Sequence, residues 1–440
     1  MSLTLLALAT LALPGQPPPE SSIRIPLTQL RRETGSPSTR SRRTFIPGGF
    51  NRGRKHRQVP PGDWQLPATK GENPVFFTAR LGGAERLFLL ASQAQEDRPY
   101  DLLYPDRDGD GDLAEEKPVA AQASRRSRGF YHRFSFTLNL RQGETDLEVP
   151  FNLSAYYSSR RGTEVKDPAR IAALMRVYLY TSSALAGSFE MDGEEYRLLI
   201  GDNDGDGLYG GQPPLADGFP KPRTRADLVY IGGKENFTYQ DGMRRGDHLV
   251  LAGRIYRVDW SRLPRELVLA PWQGEACTVE LPLEMTKLTL ADRQGALVML
   301  PRPGRHTRLP RGDYRVVSYL ATRRDDGGNL WVLGASGQAT GKLFALRSPG
   351  TAIALGEPFL PRAQIKARGK PSQEEVDVYL RLHLTGVAGE EVNRLLCTSR
   401  PMQSSSLPLS KKRKTYPKEA SYKVMDETGE IALEGNFRYG

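Results

Sequence analysis

Alternating apolar and polar residues run through most of the chain, and this period of two is typical of β-strands that bury one face. One alternating run covers residues 134–140, and a second covers residues 147–153 after a polar turn at 141–144. Two such runs joined by a short turn that contains glycine predict a β-hairpin. The pattern therefore favours antiparallel sheets in this part of the chain.

The same kind of pattern returns in the second half. Residues 283–290 and 297–300 form two apolar-rich runs around the turn 292–295, which predicts another hairpin, and residues 376–384 alternate strictly. One stretch, residues 167–175, has a helical pattern and carries a first-turn proline at Pro168. The sequence thus predicts a mainly β protein with one short helix.

Composition indicates how many folded units the chain contains. A chain of 440 residues is longer than one ordinary domain, and roughly 100–150 residues per domain gives about two to four of them. The 44 glycines and 33 prolines suit a turn-rich β protein better than a helical bundle. We therefore expect a multi-domain protein built from β-sandwich units.

Positive charge is concentrated in one tract near the beginning of the chain. The net charge is +11, and nine basic residues against one acid between Arg31 and Arg57 supply +8 of it. The remainder lacks the basic face interleaved with aromatic residues that nucleic-acid-binding domains present. We therefore predict no nucleic-acid partner. The tract itself is rich in Ser, Gly and Pro, which is typical of a solvated linker.

The first residues predict export from the cytoplasm. Residues 1–13 are apolar with several small residues, as in a secretory signal peptide, although no Lys or Arg precedes the apolar run. This run is too short to span a bilayer, which takes about 20 apolar residues, and no later segment reaches that length. We expect a secreted or periplasmic protein without a transmembrane segment. Cys277 and Cys397 have no CxxC or zinc spacing, so a disulfide and two free thiols both stay open.

A repeated acidic loop is the most informative motif. Tyr-Asp-Leu-Leu-Tyr-Pro-Asp-Arg-Asp-Gly-Asp-Gly at 100–111 returns as Tyr-Arg-Leu-Leu-Ile-Gly-Asp-Asn-Asp-Gly-Asp-Gly at 196–207. Aspartates at loop positions one, three and five supply the hard oxygen ligands that Ca²⁺ prefers, and glycine at position six permits the sharp turn. Asp-Gly pairs also form ordinary turns, but such turns do not need three carboxylates that repel one another. The sequence predicts two calcium sites, made by Asp106, Asp108 and Asp110 and by Asp202, Asp204 and Asp206.

The carboxylate that closes each site must come from outside this triplet. In the EF-hand pattern it is a glutamate at position twelve, but that position is Lys117 in the first loop and Pro213 in the second. Several acids are candidates for this role. Glu115 or Glu116 follows the first loop, with Asp112 as a further donor, and Asp217 or Asp227 could reach back to the second loop from the next turn or strand. We therefore include Glu116, Asp227 and Asp112 among the candidate ligands, and which carboxylate closes each loop stays open.

The loops resemble those of EF-hand, dockerin and thrombospondin type 3 proteins, over the loop residues alone. In layout the chain resembles secreted bacterial multi-domain β proteins that carry such loops on β scaffolds. The resemblance implies Ca²⁺ as the cofactor. The charge count of the loops and the expected extracellular location favour the modest affinity of extracellular modules, about 10⁻⁴–10⁻³ M. No helices are predicted beside either loop, so we expect structural clamps between strands, without the opening and closing of sensor proteins.

These features together predict five segments along the chain. They are a signal peptide (1–16), a basic disordered linker (17–64), a β domain with two calcium loops (65–272), a β-sandwich-like unit (273–349) and an immunoglobulin-like β-sandwich (350–440). The function that we expect is non-enzymatic. Calcium would rigidify a β scaffold that serves structural or interaction roles at the cell envelope, with an envelope protein or a polysaccharide as partner.

Two alternatives stay open beside this interpretation. The chain has no Gly-x-Ser-x-Gly nucleophile motif and no His-Glu-x-x-His zinc motif, and its dense carboxylates are those of the calcium loops, but a hydrolase that acts on polysaccharide needs no such motif. A carbohydrate-binding or hydrolase accessory protein is the second alternative. An exposed row of aromatic residues would favour it, and the tryptophans to inspect are Trp64, Trp260, Trp272 and Trp331.

Overall fold

The computed structural model describes residues 22–31, 51–52, 60, 62–69, 74–92, 100–126, 129–158, 168–212, 214–216, 219–220, 226–233, 237, 241–338, 340–368, 377–398, 420–425 and 427–437. The predicted signal peptide, most of the predicted linker and the candidate ligand Asp217 lie outside these residues. Within them the protein is almost entirely β, which confirms the predicted fold class. Its one described helix is α1, Pro168–Leu174, and no described helix has the length and hydropathy needed to cross a bilayer.

Three antiparallel sheets make up most of the first half of the chain, with strands numbered here in chain order. The first sheet contains β4 (Val75–Leu81), β5 (Ala84–Ala91), β6 (Leu102–Pro105) and β7 (Val119–Ala120); the second contains β3 (Asn51–Arg52), β8 (Gln122–Arg126), β9 (Gly129–Gln142), β10 (Thr145–Ser158) and β11 (Arg176–Thr181); the third contains β2 (Thr28–Arg31), β12 (Ser183–Met191), β13 (Glu194–Gly201), β16 (Leu228–Gly232) and β17 (Met243–Arg244). A small ladder of β14 (Leu215–Ala216) and β15 (Phe219–Pro220) accompanies them.

The hairpin predicted from residues 134–153 is the pair β9–β10, with Phe136 opposite Phe151. Their rings lie 6.0 Å apart between centroids, and Phe136 in turn lies 5.9 Å from Phe88 of β5. Phe77 of β4 stacks on Phe88 at 4.9 Å. This line of rings connects the first two sheets inside one core, to which the third sheet contributes residues such as Ile200.

A twelve-stranded sheet dominates the second half of the chain. Its members are β1 (Ile23–Pro26), β18 (His248–Leu251), β19 (Arg254–Asp259), β20 (Glu266–Pro271), β22 (Glu284–Asp292), β23 (Leu297–Pro301), β25 (Gly312–Arg324), β26 (Leu330–Ser336), β27 (Phe344–Leu346), β29 (Leu360–Arg368), β30 (Asp377–Thr385) and β31 (Glu391–Cys397). The strand order is β1-β20-β19-β18-β23-β22-β25-β26-β31-β30-β29, and β27 pairs with β25. The predicted hairpin at 283–300 is β22–β23, and the alternating run 376–384 is β30.

A three-stranded sheet packs against the large one. It contains β21 (Ala276–Glu280), β24 (His306–Pro310) and β28 (Thr351–Ala352). Val279 and Leu309 from this sheet share a buried cluster with residues of the large sheet such as Leu288, Leu300 and Leu333. The two sheets therefore enclose a second core, which is a sandwich arrangement. The last two strands, β32 (Ser421–Met425) and β33 (Ile431–Asn436), form a separate hairpin.

The large sheet is continuous across positions where the sequence analysis places unit boundaries. β18 pairs with β23 across the position 272/273, and β26 pairs with β31 across the position 349/350. Backbone pairing depends on tertiary contacts between distant segments, which sequence patterns do not encode.

Residues 23–31 also differ from the disordered linker predicted for 17–64. They form β1 and β2, which pair with β20 and β12. Ile25 is 1% exposed, because it packs into the first core. Because the residues after Arg31 are so rich in charge, the composition of residues 17–64 as a whole predicts a linker and does not reveal this short apolar segment.

Candidate metal centres

Each aspartate triplet is gathered into a compact group. One oxygen from each of Asp106, Asp108 and Asp110 lies within 4.8 Å of the other two, and the same holds for the second triplet. Both loops leave the end of a central strand, β6 in the first case and β13 in the second. The structure therefore brings together each of the two triplets that the sequence motif singles out: Asp106, Asp108 and Asp110 in the first loop, and Asp202, Asp204 and Asp206 in the second.

The first loop is held by hydrogen bonds from its own backbone. Asp106 Oδ1 accepts a hydrogen bond from the amide of Gly109 at 2.7 Å, and Asp108 Oδ1 accepts one from the amide of Asp110 at 3.3 Å. Asp110 Oδ1 accepts one from the amide of Asp112 at 2.7 Å. The carboxylates at loop positions one, three and five thus bind the amides of positions four, five and seven.

The second loop repeats this pattern position for position. Asp202 Oδ1 accepts a hydrogen bond from Gly205 at 2.6 Å, Asp204 Oδ1 accepts one from Asp206 at 3.3 Å, and Asp206 Oδ1 accepts one from Leu208 at 2.8 Å. The glycines at positions four and six of both loops have positive φ, between 78° and 86°, which side chains with a Cβ rarely adopt. Two copies of the motif therefore fold into the same loop conformation.

The two carboxylates predicted to close the loops, Glu116 and Asp227, take equivalent places. Glu116 precedes β7, which pairs with β6, and Asp227 precedes β16, which pairs with β13. Glu116 Oε1 accepts a hydrogen bond from the amide of Arg107 at 2.5 Å, and Asp227 Oδ1 accepts one from the amide of Asn203 at 2.9 Å. Arg107 and Asn203 both occupy loop position two. In each case the carboxylate before the following strand therefore accepts a hydrogen bond from the equivalent amide of the loop.

The second oxygen of each closing carboxylate distinguishes the two sites. In the first, Glu116 Oε2 forms an ion pair with the guanidinium of Arg107 at 2.5 Å. In the second, Asp227 Oδ2 accepts a hydrogen bond from the amide of Gly211 at 2.8 Å. The ion pairs between described residues include none with Asp227, although Arg245 lies close enough to interact with its charge. The negative charge of the first site is therefore partly neutralised by its own loop, whereas the second site keeps a fourth carboxylate.

Burial follows the same asymmetry. Asp106 is buried, but Asp108 and Asp110 are exposed to solvent. In the second site Asp202 and Asp227 are fully buried, and Asp204 and Asp206 are half-buried.

Asp112, the additional ligand predicted for the first site, lies outside the triplet. Its Oδ1 accepts a hydrogen bond from the amide of Ala114 at 2.8 Å.

Crowding and burial raise the pKa values of the carboxyl groups. Burial, followed by the charge of Asp227, raises the pKa of Asp202 well above its usual value, and burial with the charge of Asp204 does the same for Asp227. The pKa of Asp206 rises to about 6 for the same reasons. In the first site burial raises the pKa of Asp106, although two backbone amides and Arg86 act in the opposite direction. Four acids this close favour a cation or a proton among them.

The β4–β5 hairpin contacts both loops, and sequence motifs did not identify it. Arg86 donates to the carbonyl oxygens of Asp106 at 3.2 Å and Arg107 at 2.7 Å, while the amide of Gly82 donates to the carbonyl oxygen of Asp206 at 2.9 Å. The backbone amide of Leu87 donates a further hydrogen bond to Asp106 Oδ2 at 3.3 Å. One hairpin therefore positions both acidic loops.

The end of β9 supports the second loop from the other side. The side-chain amide of Gln142 donates to the carbonyl oxygen of Tyr209 at 2.6 Å and accepts from the amide of Tyr209 at 3.1 Å. Gly207 lies so close to Leu140 and Phe151 that an added Cβ would contact both, with Phe151 Cζ at 2.8 Å. No sequence motif signals these contacts, because the partners are far apart in the chain.

The donor set fits a hard divalent cation. All candidate side-chain ligands are carboxylate oxygens, which suit Ca²⁺, Mg²⁺ and Mn²⁺ better than the softer transition metals. Gly211 leaves room beside the second site: a Cβ there would lie 3.1 Å from Asp204 Oδ2 and 3.5 Å from Asp227 Oδ2. The residues present therefore suit an ion held mainly by Asp202, Asp204, Asp206 and Asp227.

The tryptophans do not form an exposed row. Trp260 and Trp331 are buried, and their ring nitrogens donate to the carbonyl oxygen of Gly246 at 2.9 Å and to Asp325 Oδ2 at 3.0 Å. Trp64 and Trp272 are partly buried and pack against core residues. Cys277 and Cys397 are buried free thiols.

Comparisons with protein-family models, with curated proteins and with solved structures find no match for this chain. The two acidic centres themselves are therefore the features of the chain that indicate a function.

Proposed function

We propose that this protein binds two calcium ions, which rigidify its first β region as structural clamps. The observation that carries the proposal is the repetition of one loop conformation with one donor arrangement at two separate strand ends. A single acidic turn has many explanations, but two loops with the same three carboxylate–amide hydrogen bonds and the same bond from a following carboxylate suit a shared ligand.

A bound Ca²⁺ would balance the negative charge of the carboxylates that the fold brings together at the second site. Three carboxylates converge at the second site with Asp227 beside them. Asp202 and Asp227 are fully buried, and burial of an unpaired charge is costly. A divalent ion would neutralise two of these charges and restore ordinary pKa values. Mg²⁺ demands a near-ideal octahedron with retained waters, whereas Ca²⁺ accepts six to eight oxygen ligands in flexible geometry. The crowded, all-oxygen second site therefore favours Ca²⁺.

The bound ion would connect elements that the chain brings together from separate segments. The second site joins the end of β13 to the start of β16, and the first joins β6 to β7. Both loops also touch the β4–β5 hairpin. Loss of the ions would therefore loosen contacts between the first and third sheets. This arrangement suits a static scaffold, because neither described loop is flanked by a helix pair that could open.

A secreted or cell-envelope location with structural or interaction roles follows as part of the proposal. Modest-affinity calcium sites are filled where calcium is millimolar, which is the extracellular condition. An envelope protein or a polysaccharide is the proposed partner, and no enzymatic step is proposed. The carbohydrate-binding alternative gains no support from the four tryptophans, since none forms part of an exposed aromatic row.

The direct test is isothermal titration of calcium-stripped protein with Ca²⁺, Mg²⁺ and Mn²⁺. The expected result is two Ca²⁺ per chain and weaker binding of Mg²⁺. Asp202→Asn should remove one site. Asp192→Asn is the matched control, because Asp192 also begins an Asp-Gly turn with positive φ but lies outside both triplets. Absence of calcium heat at millimolar concentration would overturn the proposal.

A further inference from the structure

The C-terminal hairpin β32–β33 has an exposed apolar face. Val424 pairs with Leu433 and Tyr422 pairs with Gly435, so the side chains of Tyr422, Val424 and Leu433 point to the same side. The ring of Tyr422 also contacts Phe437 at 5.0 Å between centroids. Leu433 is 53% exposed. This side of the hairpin resembles the inner face of a sandwich.

The other side of the hairpin is polar over two of its three pairs. Ser421 lies opposite Asn436 and Lys423 opposite Glu434, with the charged groups of the second pair 4.0 Å apart. The third pair, Met425 and Ile431 beside the turn, is apolar and exposed. Away from the turn the hairpin is therefore amphipathic, with one face suited to water and one suited to a core. A two-stranded hairpin alone is at best marginally stable in water, and an apolar face of this kind is normally covered.

A second exposed apolar face lies at the edge of the large sheet. Ile365 of β29 pairs with Leu380 of β30, and Ala363 pairs with Leu382. Ile365 is 69% exposed, and Leu380 and Leu382 are only half-buried. These residues share one side of the sheet, because paired residues of antiparallel strands point in the same direction.

This side of β29 and β30 continues the side of the large sheet that faces the second core at β26 and β31. Leu384 of β30 pairs with Val392 of β31, and Val392 pairs with Ala335 of β26. Ala335 belongs to the second core and Val392 packs against it, whereas the described members of that core include none from β29 or β30. The sheet formed by β21, β24 and β28 thus covers the central strands and leaves the last two uncovered.

We propose that the β32–β33 hairpin packs on β29 and β30 of the same chain, with Tyr422, Val424 and Leu433 facing Ile365, Leu380 and Leu382. The hairpin would extend the layer formed by β21, β24 and β28 and close the sandwich over the uncovered strands. Residues 399–419 connect β31 to the hairpin, and a segment of this length spans at most about 75 Å when fully extended. This connection keeps the hairpin within reach of the face at a high effective concentration, whereas a second copy must reach it by diffusion.

Accessibility of single cysteines tests the packing in the full-length protein. Leu433→Cys places a thiol on the apolar face and Glu434→Cys places one on the polar face of the same strand. The native thiols Cys277 and Cys397 are each 2% exposed, so they give a low background. We expect iodoacetamide to modify Leu433→Cys at least about tenfold more slowly than Glu434→Cys, because modification requires local opening. Equal rates would overturn the proposal.

Cross-linking identifies the occupant of the face. Leu382→Cys/Leu433→Cys should be joined by a short bismaleimide within one chain, which peptide mass spectrometry of the monomer band detects. The matched control, Leu382→Cys/Glu434→Cys, should give little product. Cross-links found only between two chains would show that a second copy covers the face and would refute the intramolecular packing. Protection of Leu433→Cys without any cross-link to Leu382→Cys would also refute it, since another surface would then cover the hairpin.

Discussion

Replacement of Asp202 by asparagine gives the sharpest test of the calcium clamp. Asp202 is fully buried, and its two oxygens accept hydrogen bonds from Gly205 at 2.6 Å and Gly207 at 2.8 Å. Asparagine keeps the shape and one acceptor, but its amide group would face a backbone amide. Asp202→Asn therefore removes one charged ligand from the second site with little change in volume.

In the calcium-free protein two effects of this change oppose each other. Loss of a hydrogen bond to a charged acceptor costs about 1.5–3 kcal/mol. Removal of one charge relieves the repulsion by Asp227, Asp206 and Asp204, which raises the pKa of Asp202. The free energy of unfolding without calcium should therefore change little, so the informative quantity is the increment that calcium adds.

That increment follows from mass action. Calcium at a hundred times its dissociation constant stabilises the folded state by about 2.7 kcal/mol per site. For a unit of the size of residues 65–272, each kcal/mol shifts the melting temperature by about 2–4 °C, so one site contributes about 5–11 °C. The wild-type protein should gain from both sites, and Asp202→Asn should lose the share of the second.

Differential scanning calorimetry with excess calcium and with chelator measures the increment. Asp192→Asn provides the control and should keep the full wild-type increment, because Asp192 contacts Arg254 and lies outside both sites. An increment in Asp202→Asn equal to that of the wild type would refute the role of Asp202 as a ligand. An equal loss in the control would show that the effect is not specific to the site.

The second site should bind calcium more tightly than the first, because Arg107 of the first loop already pairs with Glu116. Asp227→Asn should therefore weaken the calcium step of the second site at least about tenfold, whereas Glu116→Gln should change that of the first site less than about threefold. Titration calorimetry measures both, and equal losses would contradict the asymmetry. The raised pKa of Asp206, about 6 against an ordinary 3.8, stabilises the calcium-stripped fold below about pH 4, and this stability is lost as pH rises through about 6. The stability of wild type minus that of Asp206→Asn should therefore fall over this window in chemical unfolding, and a rise would contradict the sign. Gly207→Ala should cost at least about 2 kcal/mol more than Gly193→Ala: both glycines have positive φ, but a Cβ at Gly193 meets nothing within 4 Å. If urea unfolding gave both variants the same loss of stability, the close packing of Gly207 against Leu140 and Phe151 would not be what constrains this position.

The local parts of the candidate centres could be predicted from the sequence. Hydrogen bonds within each loop join residues at most five positions apart, as in Asp202 to Gly207. Spacing along the chain therefore determines which carboxylates meet, and the same holds for the β9–β10 hairpin, whose register follows from its alternation and its turn. Glu116 was a candidate because it follows the first loop closely, whereas Asp227 lies further along the chain, and only the fold shows that both accept a hydrogen bond from the amide at loop position two.

The difference in burial between the two centres was decided by the tertiary structure alone. Whether a carboxylate is buried depends on sheets that come from distant parts of the chain, so Asp108 and Asp204 occupy the same motif position, but Asp108 is exposed and Asp204 is half-buried. The supports at Gly82 and Gln142 likewise reach the second loop across long stretches of sequence. Long-range burial sets the electrostatic environment of the acids, whereas the local pattern sets only their positions along the loop.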